Sequence, residues 1–162
     1  MSSYNTLHPA IERESPDKIK QYQENLLQKQ IRYTASRSAF YQRVFTKEKI
    51  DIEQIKTIED LQHIPLTTKD DLNKFNQDFI CVEKHKIVDY ITTSGTLGDP
   101  VTFVMTDNDL DRLAYNEALS FVCSGCDNQD IMQLTTTIDK RFMAGLAYFL
   151  GARKLGAGIV IG

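Results

Sequence analysis

The residues with the clearest capacity for chemistry are the hydroxyl and glycine residues of stretch 92–100, which reads TTSGTLGDP. Gly95 and Gly98 lack a Cβ atom, so the backbone can adopt positive φ angles there at low cost and turn its N–H groups inward. Successive N–H groups in such a turn form a concave site for anions. The stretch therefore predicts a loop that cradles the phosphates of a nucleotide. A plain hairpin turn rich in Gly, Ser and Thr is the alternative.

Two other patterns suggest metal or redox chemistry, and neither develops into a site. Cys123 and Cys126 have the spacing of a redox or half-zinc motif, but no second cysteine pair and no suitably spaced histidines accompany them. A structural zinc site needs four ligands. The carboxylates at 107–111 resemble the start of a calcium loop, but Arg112 and Ala118 stand where that loop requires Gly and Glu. We therefore predict no metal ligand, an acidic first helical turn at 107–111, and cysteines that are small core residues.

Length and composition restrict the class of protein further. The chain has 162 residues, of which 41% are hydrophobic and 25% are charged, as in an ordinary globular domain. The formal net charge is −3 and no basic stripe is evident, which argues against a nucleic-acid partner. No apolar run approaches the ~20 residues that span a bilayer, and the polar start lacks the pattern of a secretory signal. The sequence thus predicts a cytoplasmic protein without a membrane partner.

The elements that must position the loop fall into two parts. Residues 1–80 are predicted to be mainly helical, with a helix that opens at Ser15 and divides at the polar break 34–38. A further short helix is predicted at 55–61. Another helix is predicted to follow a capping box formed by Thr68 and Asp71.

Residues 81–162 are predicted to form an α/β part that carries the loop at 92–100. Helices are predicted from residue 106 to about Gly125 and over 143–155. Apolar stretches predict strands at 79–82, 87–91, 101–105, 131–134 and 158–162. The loop is thus strand–loop–strand, unlike the strand–helix setting of the common P-loop. The alternation favours an α/β fold, a helical N-terminal region followed by the beginning of a mixed or parallel sheet flanked by helices.

These segments resemble one family. TTSGTLGDP resembles the phosphate-binding loop of the adenylate-forming (AMP-binding) acyl-CoA synthetases, and among them most closely that of the phenylacetate-coenzyme A ligases. Three further segments are similar to motifs of the same family: SAFY at 38–41, IPLTTKDDL at 64–72 and GLAYFLGARKLGAG at 145–158. Four matches in the expected order are specific, and together they cover essentially the whole chain.

The resemblance implies that the chain is the N-terminal portion of a longer enzyme, a single incomplete domain. The segment that holds adenine and ribose and the C-terminal domain with the catalytic lysine lie outside it, so no catalytic residue is expected within the chain. An unfinished parallel sheet would leave an edge exposed. We therefore expect self-association through that edge, an accessory partner, or a gene that continues past Gly162.

The activity that the resemblance implies is AMP-forming ligation of an aryl acid to coenzyme A, with ATP, Mg²⁺ and coenzyme A serving the complete enzyme. A small carboxylic acid is the other substrate, and the isolated chain is expected to be inactive. The positions that match the phosphate-holding residues are Thr93, Ser94, Gly95, Thr96 and Gly98. Those that match the aromatic-acid pocket are Phe142, Ala144 and Gly145, although Phe142 is equally well interpreted as a core aromatic residue.

Two positions depart from the family pattern, and one short stretch differs in character from it. Leu97 stands where the family usually has a second Thr, and Asp99 stands where it usually has Lys. A carboxylate beside a polyphosphate repels rather than attracts it, which motivates an alternative: a degenerate nucleotide-binding or assembly module derived from this fold. Stretch 134–137 also differs in character from the family's pocket segment, so the sequence does not predict which acid is used. An unrelated α/β domain with an incidental hairpin turn is the third interpretation.

Overall fold

A computed structural model describes residues 10–93, 101–138 and 143–162. They divide into two compact units, Ala10–Glu83 and Lys84–Gly162. The first unit contains helices and 3₁₀ turns, and the second contains helices and strands. The predicted α/β class, with its helical region first, is therefore confirmed. None of the described helices has the length and apolar character needed to cross a membrane.

Three α-helices build the first unit: α1 (Pro16–Arg37), α2 (Ala39–Lys47) and α3 (Lys69–Lys74). The predicted division of the first helix occurs at Ser38, whose backbone N–H donates to the Thr34 carbonyl and ends α1. Its side chain accepts from the Tyr41 N–H and so begins α2. The capping box of Thr68 and Asp71 is present at α3, as the sequence predicts.

Two elements that the sequence predicts in the first unit are wrong. The helix expected at 55–61 is replaced by two 3₁₀ turns, Ile52–Gln54 and Glu59–His63. Here the Asp60 carboxylate accepts from the N–H groups of Lys56 and Thr57, a local bond pattern that competes with a regular helix.

The strand expected at 79–82 is also absent, because a 3₁₀ turn, Asn76–Phe79, occupies its start. The Phe79 ring stacks on the ring of Phe40, with centroids 4.1 Å apart. The Ser38 hydroxyl donates to the Asp78 carbonyl over 2.8 Å. Packing against α2 therefore overrides the apolar pattern that predicted a strand.

The described residues of the second unit form four strands and two α-helices: β1 (Asp89–Thr92), β2 (Thr102–Met105), α4 (Asp107–Cys123), β3 (Ile131–Leu134), α5 (Met143–Leu155) and β4 (Gly158–Ile161). Among the described residues the strands form two separate pairs rather than the single sheet expected. β1 and β2 pair antiparallel because a short loop joins them, whereas β3 and β4 pair parallel because α5 crosses between them.

Small residues allow α4 and α5 to pack closely. Ala118 is fully buried at the centre of this contact, and Leu155 is buried beside it. A Cβ atom added to Gly151 would overlap the Cβ of Glu117 and would lie 3.1 Å from the Ala118 nitrogen. The close approach of the two helices therefore depends on the absence of a side chain at Gly151.

The end of α4 follows the Schellman pattern. Gly125 has a φ of 94°, its N–H donates to the Val122 carbonyl, and the Cys126 N–H donates to the Phe121 carbonyl. The prediction that Gly125 ends the helix is confirmed. Cys126 packs against the cluster around Ala118, as expected for a core residue. Cys123, in contrast, is exposed, so only one of the two cysteines is a core residue.

Candidate functional site

The base of the predicted phosphate loop is a closed β-hairpin. Thr92 and Thr102 form the last pair of the β1–β2 ladder. Beyond them the Thr93 N–H donates to the Val101 carbonyl over 3.0 Å, and the Val101 N–H donates to the Thr93 hydroxyl oxygen over 3.0 Å. The predicted strand–loop–strand setting is confirmed. Since Ile91 and Val101 are both buried, the two stems of the loop are anchored in the unit.

Thr93 is the one predicted phosphate-holding residue that the structure describes. It is exposed, and its hydroxyl oxygen accepts from Val101 while its proton can be donated outward. One hydroxyl donor at the paired base of this loop suits a phosphate oxygen. The other predicted phosphate residues and the two departures from the family pattern lie outside the described residues: Ser94, Gly95, Thr96, Leu97, Gly98 and Asp99.

The residues predicted to line the acid pocket lie at the start of α5. Gly145 is buried, and a Cβ atom added there would overlap the carbonyl oxygen of Thr137. Ala144 beside it is half-buried. Segment 135–138, which follows β3, thus lies directly on the first turn of α5. Phe142 lies outside the described residues.

Thr136 adds a feature that the sequence did not single out. Its Oγ1 atom is buried and has no hydrogen-bond partner among the described residues. Thr136 follows the carboxyl end of β3 in the parallel pair, and in open α/β sheets ligands bind outside the carboxyl ends of the strands. The run of three threonines after an apolar strand was the available signal, but nothing in the sequence shows which hydroxyl turns inward.

Helix α4 connects the two sets of predicted residues. β2 leaves the loop and passes through Thr106 directly into α4. The Thr106 hydroxyl accepts from the Asp109 N–H, and the Asp109 carboxylate accepts from the Thr106 N–H. The acidic first turn predicted at 107–111 is therefore a capping box. Because α4 also packs along α5, one helix contacts both the hairpin and α5.

The described residues contain no group of three or more His, Cys, Asp or Glu side chains that could hold a metal ion. They therefore identify no ligands for the Mg²⁺ that the resemblance implies. For nucleotide phosphates, the fitting group in the described part of the chain is the Thr93 hydroxyl.

Comparisons with known proteins agree with the resemblance. No protein-family profile matches the chain. It is 28% identical over 157 residues to phenylacetate-coenzyme A ligase of Escherichia coli (strain K12), covering 96% of this chain and 36% of that protein. It is 29% identical over 153 residues to phenylacetate-coenzyme A ligase of Thermus thermophilus, covering 94% of this chain and 34% of that protein. The chain thus spans about a third of the length of these curated relatives.

Solved structures of 2-hydroxyisobutyryl-CoA ligase share the fold. An open conformation in complex with 2-HIB-AMP and CoA superposes with a TM-score of 0.79 at 22% identity, covering 89% of this chain and 34% of that chain. The same enzyme in its thioesterification state, with the same ligands, gives a TM-score of 0.78 at 24% identity. This superposition covers 95% of this chain and 32% of that chain. The fold is therefore that of about a third of an adenylate-forming CoA ligase. In sequence and in fold, the chain is therefore similar to about a third of a CoA ligase, and its relatives in sequence are named phenylacetate-coenzyme A ligase.

Proposed function

We propose that the chain is the N-terminal part of an ATP-dependent, AMP-forming ligase that joins an aryl acid of the phenylacetate type to coenzyme A. The observation that carries the proposal is the similarity of 93–96% of this chain to proteins named phenylacetate-coenzyme A ligase. The anchored strand–loop–strand hairpin at the expected phosphate loop supports it.

The proposed reaction has two steps. The carboxylate of the acid attacks the α-phosphate of ATP, which forms an acyl-adenylate and releases pyrophosphate. The thiol of coenzyme A then attacks the acyl carbon and displaces AMP, which leaves a thioester. Mg²⁺, when bound, shares the charge of the phosphates.

In this scheme the chain contributes positioning and electrostatic stabilisation. The Thr93 hydroxyl donates to a phosphate oxygen, and Ser94, Gly95, Thr96 and Gly98 complete the loop around the β- and γ-phosphates. Because Thr93 is tied to the buried Val101, the hydroxyl is held in place before the nucleotide binds. Phe142, Ala144 and Gly145 line the acid pocket in this proposal.

The test is acid-dependent exchange of pyrophosphate into ATP, measured with phenylacetate. We expect exchange by the full-length protein that carries this chain and none by residues 1–162 alone, since the proposal places no catalytic residue within them. Exchange by the 162-residue chain alone would overturn the inactivity of the isolated chain. A full-length protein that supports no exchange with any aryl acid would overturn the ligase proposal.

The second candidate is a degenerate nucleotide-binding or assembly module, which Leu97 and Asp99 favour. Calorimetric titration of ATP into the full-length protein and into its Asp99→Lys variant separates the two. A module with a weakened loop should bind ATP poorly, and the Asp99→Lys substitution should raise its affinity for ATP. Normal binding that the substitution leaves unchanged would exclude it.

Self-association is proposed through the β3–β4 pair. Ile131 is 77% exposed, and Val160 and Ile161 of β4 are 50% and 59% exposed. Such apolar strand residues are a template for pairing with another chain. Sedimentation of the 162-residue chain over a range of concentrations should show dimers or larger species, and a Val160→Lys variant should shift them towards monomer. The cytoplasmic location remains a prediction of the sequence.

A further inference from the structure

A surface cavity of about 360 Å³ lies within the first unit, where residues of α2, of segment 65–67 and of the α3 region meet. Its apolar lining consists of Phe40, Val44, Pro65 and Phe75. Phe40 is buried, and the Cζ atom of Arg43 lies 5.0 Å from the centroid of the Phe75 ring. A cavity of this size with an apolar lining suits an apolar side chain.

Leu66 stands at the rim of this cavity and is 92% exposed, the highest value among the large apolar side chains of the described residues. The backbone around it is held in place. The Thr67 hydroxyl forms a 3.0 Å hydrogen bond with the Tyr41 hydroxyl, Thr68 caps α3, and Pro65 restricts its own φ angle. An apolar side chain presented on an ordered backbone loses little conformational entropy when a partner covers it.

The charged residues that line the cavity are balanced in sign. Arg43 and Lys47 are positive, and their side chains are 52% and 83% exposed, whereas Glu48 and Asp71 are negative. Identical patches of one sign would repel each other when a two-fold axis brings them face to face. A patch that carries both signs can place each cation opposite a carboxylate of the other copy. The charge pattern therefore fits a second copy of this chain.

We infer that Leu66 and the cavity beside it form an interface between two copies of this chain. Leu66 of each copy enters the cavity of the other, because a protruding side chain and a cavity on the same patch are self-complementary about a two-fold axis. The interface uses other residues than the β3–β4 pair, and it does not depend on the ligase activity. Because the contact is small, we expect a weak and reversible dimer.

The test is sedimentation equilibrium of the chain in a Val160→Lys background, which weakens association through the β3–β4 pair. We expect dimers to persist in that background. Adding Leu66→Lys should raise the dissociation constant at least about tenfold, since each dimer then loses the burial of two leucines. Leu26→Lys is the matched control, because Leu26 is 45% exposed on α1 and does not line the cavity. It should leave the dissociation constant unchanged.

Disulfide cross-linking between copies provides a second measurement. A Leu66→Cys chain is mixed with a Val44→Cys chain in the presence of oxidised glutathione. Both chains carry Cys123→Ser, since Cys123 is exposed and would react as well. We expect a disulfide-linked heterodimer, and none when a Leu26→Cys chain replaces the Leu66→Cys chain.

The outcomes decide the inference independently of the ligase proposal. Monomers in the Val160→Lys background would overturn it, as would equal effects of Leu66→Lys and Leu26→Lys. Circular dichroism should show that Leu66→Lys stays folded, because a side chain that is 92% exposed contributes little to packing. If that variant unfolds, the cross-linking decides, and the absence of the heterodimer would then overturn the inference.

Discussion

The two units of the chain are stabilised in opposite ways. In Ala10–Glu83, large aromatic rings fill the interior: Phe40 contacts the rings of Tyr41, Phe75 and Phe79. In Lys84–Gly162, the closest packing is made by residues with little or no side chain, such as Ala118 and Gly151. One interior depends on the volume of its side chains and the other on their absence.

This difference bears on where the predicted site lies. Every residue predicted to bind phosphate or acid belongs to the second unit. There, two small residues let backbone approach helix α5: Gly151 admits α4, and Gly145 admits segment 135–138. Backbone that packs this closely leaves few alternative arrangements, which suits a site that must hold its groups in fixed positions.

The largest effect is expected in the aromatic unit. Phe40→Ala removes a ring that is 7% exposed and in contact with three others, so it leaves a cavity as well as losing apolar burial. We expect a loss of about 3–5 kcal/mol in the free energy of unfolding. Urea denaturation followed by circular dichroism measures it. A loss below about 1 kcal/mol would mean that the aromatic cluster does not stabilise this unit.

The second effect concerns the small residues. Gly151→Ala adds a methyl group that overlaps the Cβ of Glu117, and the helices must separate to admit it. We expect a loss of about 1–3 kcal/mol in the free energy of unfolding. Gly158→Ala is the matched control, because its new Cβ would meet Ile131 at an ordinary 3.4 Å. Equal effects of the two substitutions would refute the importance of close helix packing.

Ser38 shows that the aromatic unit also relies on a buried polar residue. Ser38→Ala removes the bond donated to the Asp78 carbonyl and leaves the Tyr41 N–H without its cap, in a residue that is fully buried. The expected loss is about 1–2 kcal/mol. Ser15→Ala removes an exposed cap, in which the Lys18 N–H donates to the Ser15 hydroxyl oxygen over a long 3.5 Å. Its loss in the free energy of unfolding should be clearly smaller. The reverse order in thermal or urea melts would contradict this account.

The smallest effect is expected for the ion pair between Arg32 and Glu53. Hydrogen bonds from the Arg32 side chain lower the pKa of Glu53 below its ordinary value of 4.5. A carboxyl group with a lowered pKa in the folded state stabilises that state above its unfolded pKa, and the contribution is lost as the pH falls through the folded pKa. Both side chains are largely exposed, so the effect is weak.

Glu53→Gln tests this pair by its dependence on pH. The urea midpoint of the variant should lie slightly below that of the natural chain at pH 7. The difference should shrink as the pH falls below 4.5, since the natural carboxyl group then becomes neutral as well. A difference that persists unchanged at pH 2–3 would assign the effect to packing rather than to charge.

Much of the local structure could be predicted from the sequence because it is stabilised by neighbouring residues. The capping box of Thr68, the end of α4 at Gly125 and the hairpin around the loop all form as predicted. The two caps depend on groups within a few residues along the chain. The β1–β2 pairing is also local, because a short loop joins the two strands.

The predictions that are wrong concern segments whose structure depends on contacts with residues far away in the sequence. The apolar run 79–82 predicts a strand, yet Phe79 stacks on Phe40, which lies far away in sequence. Cys123 and Cys126 look equivalent in the sequence, but after the turn at Gly125 Cys126 is half-buried against the core, whereas Cys123 is exposed.

The sequence by itself determined most of the elements, the similarity to one family and the candidate residues, because motifs and caps consist of residues that are close together along the chain. Only the tertiary structure decided the parallel pairing of β3 with β4, the approach of segment 135–138 to Gly145, and the burial of the Thr136 hydroxyl. The physical reason is that burial and close approach depend on what packs against a residue, and the packing partners come from other parts of the chain.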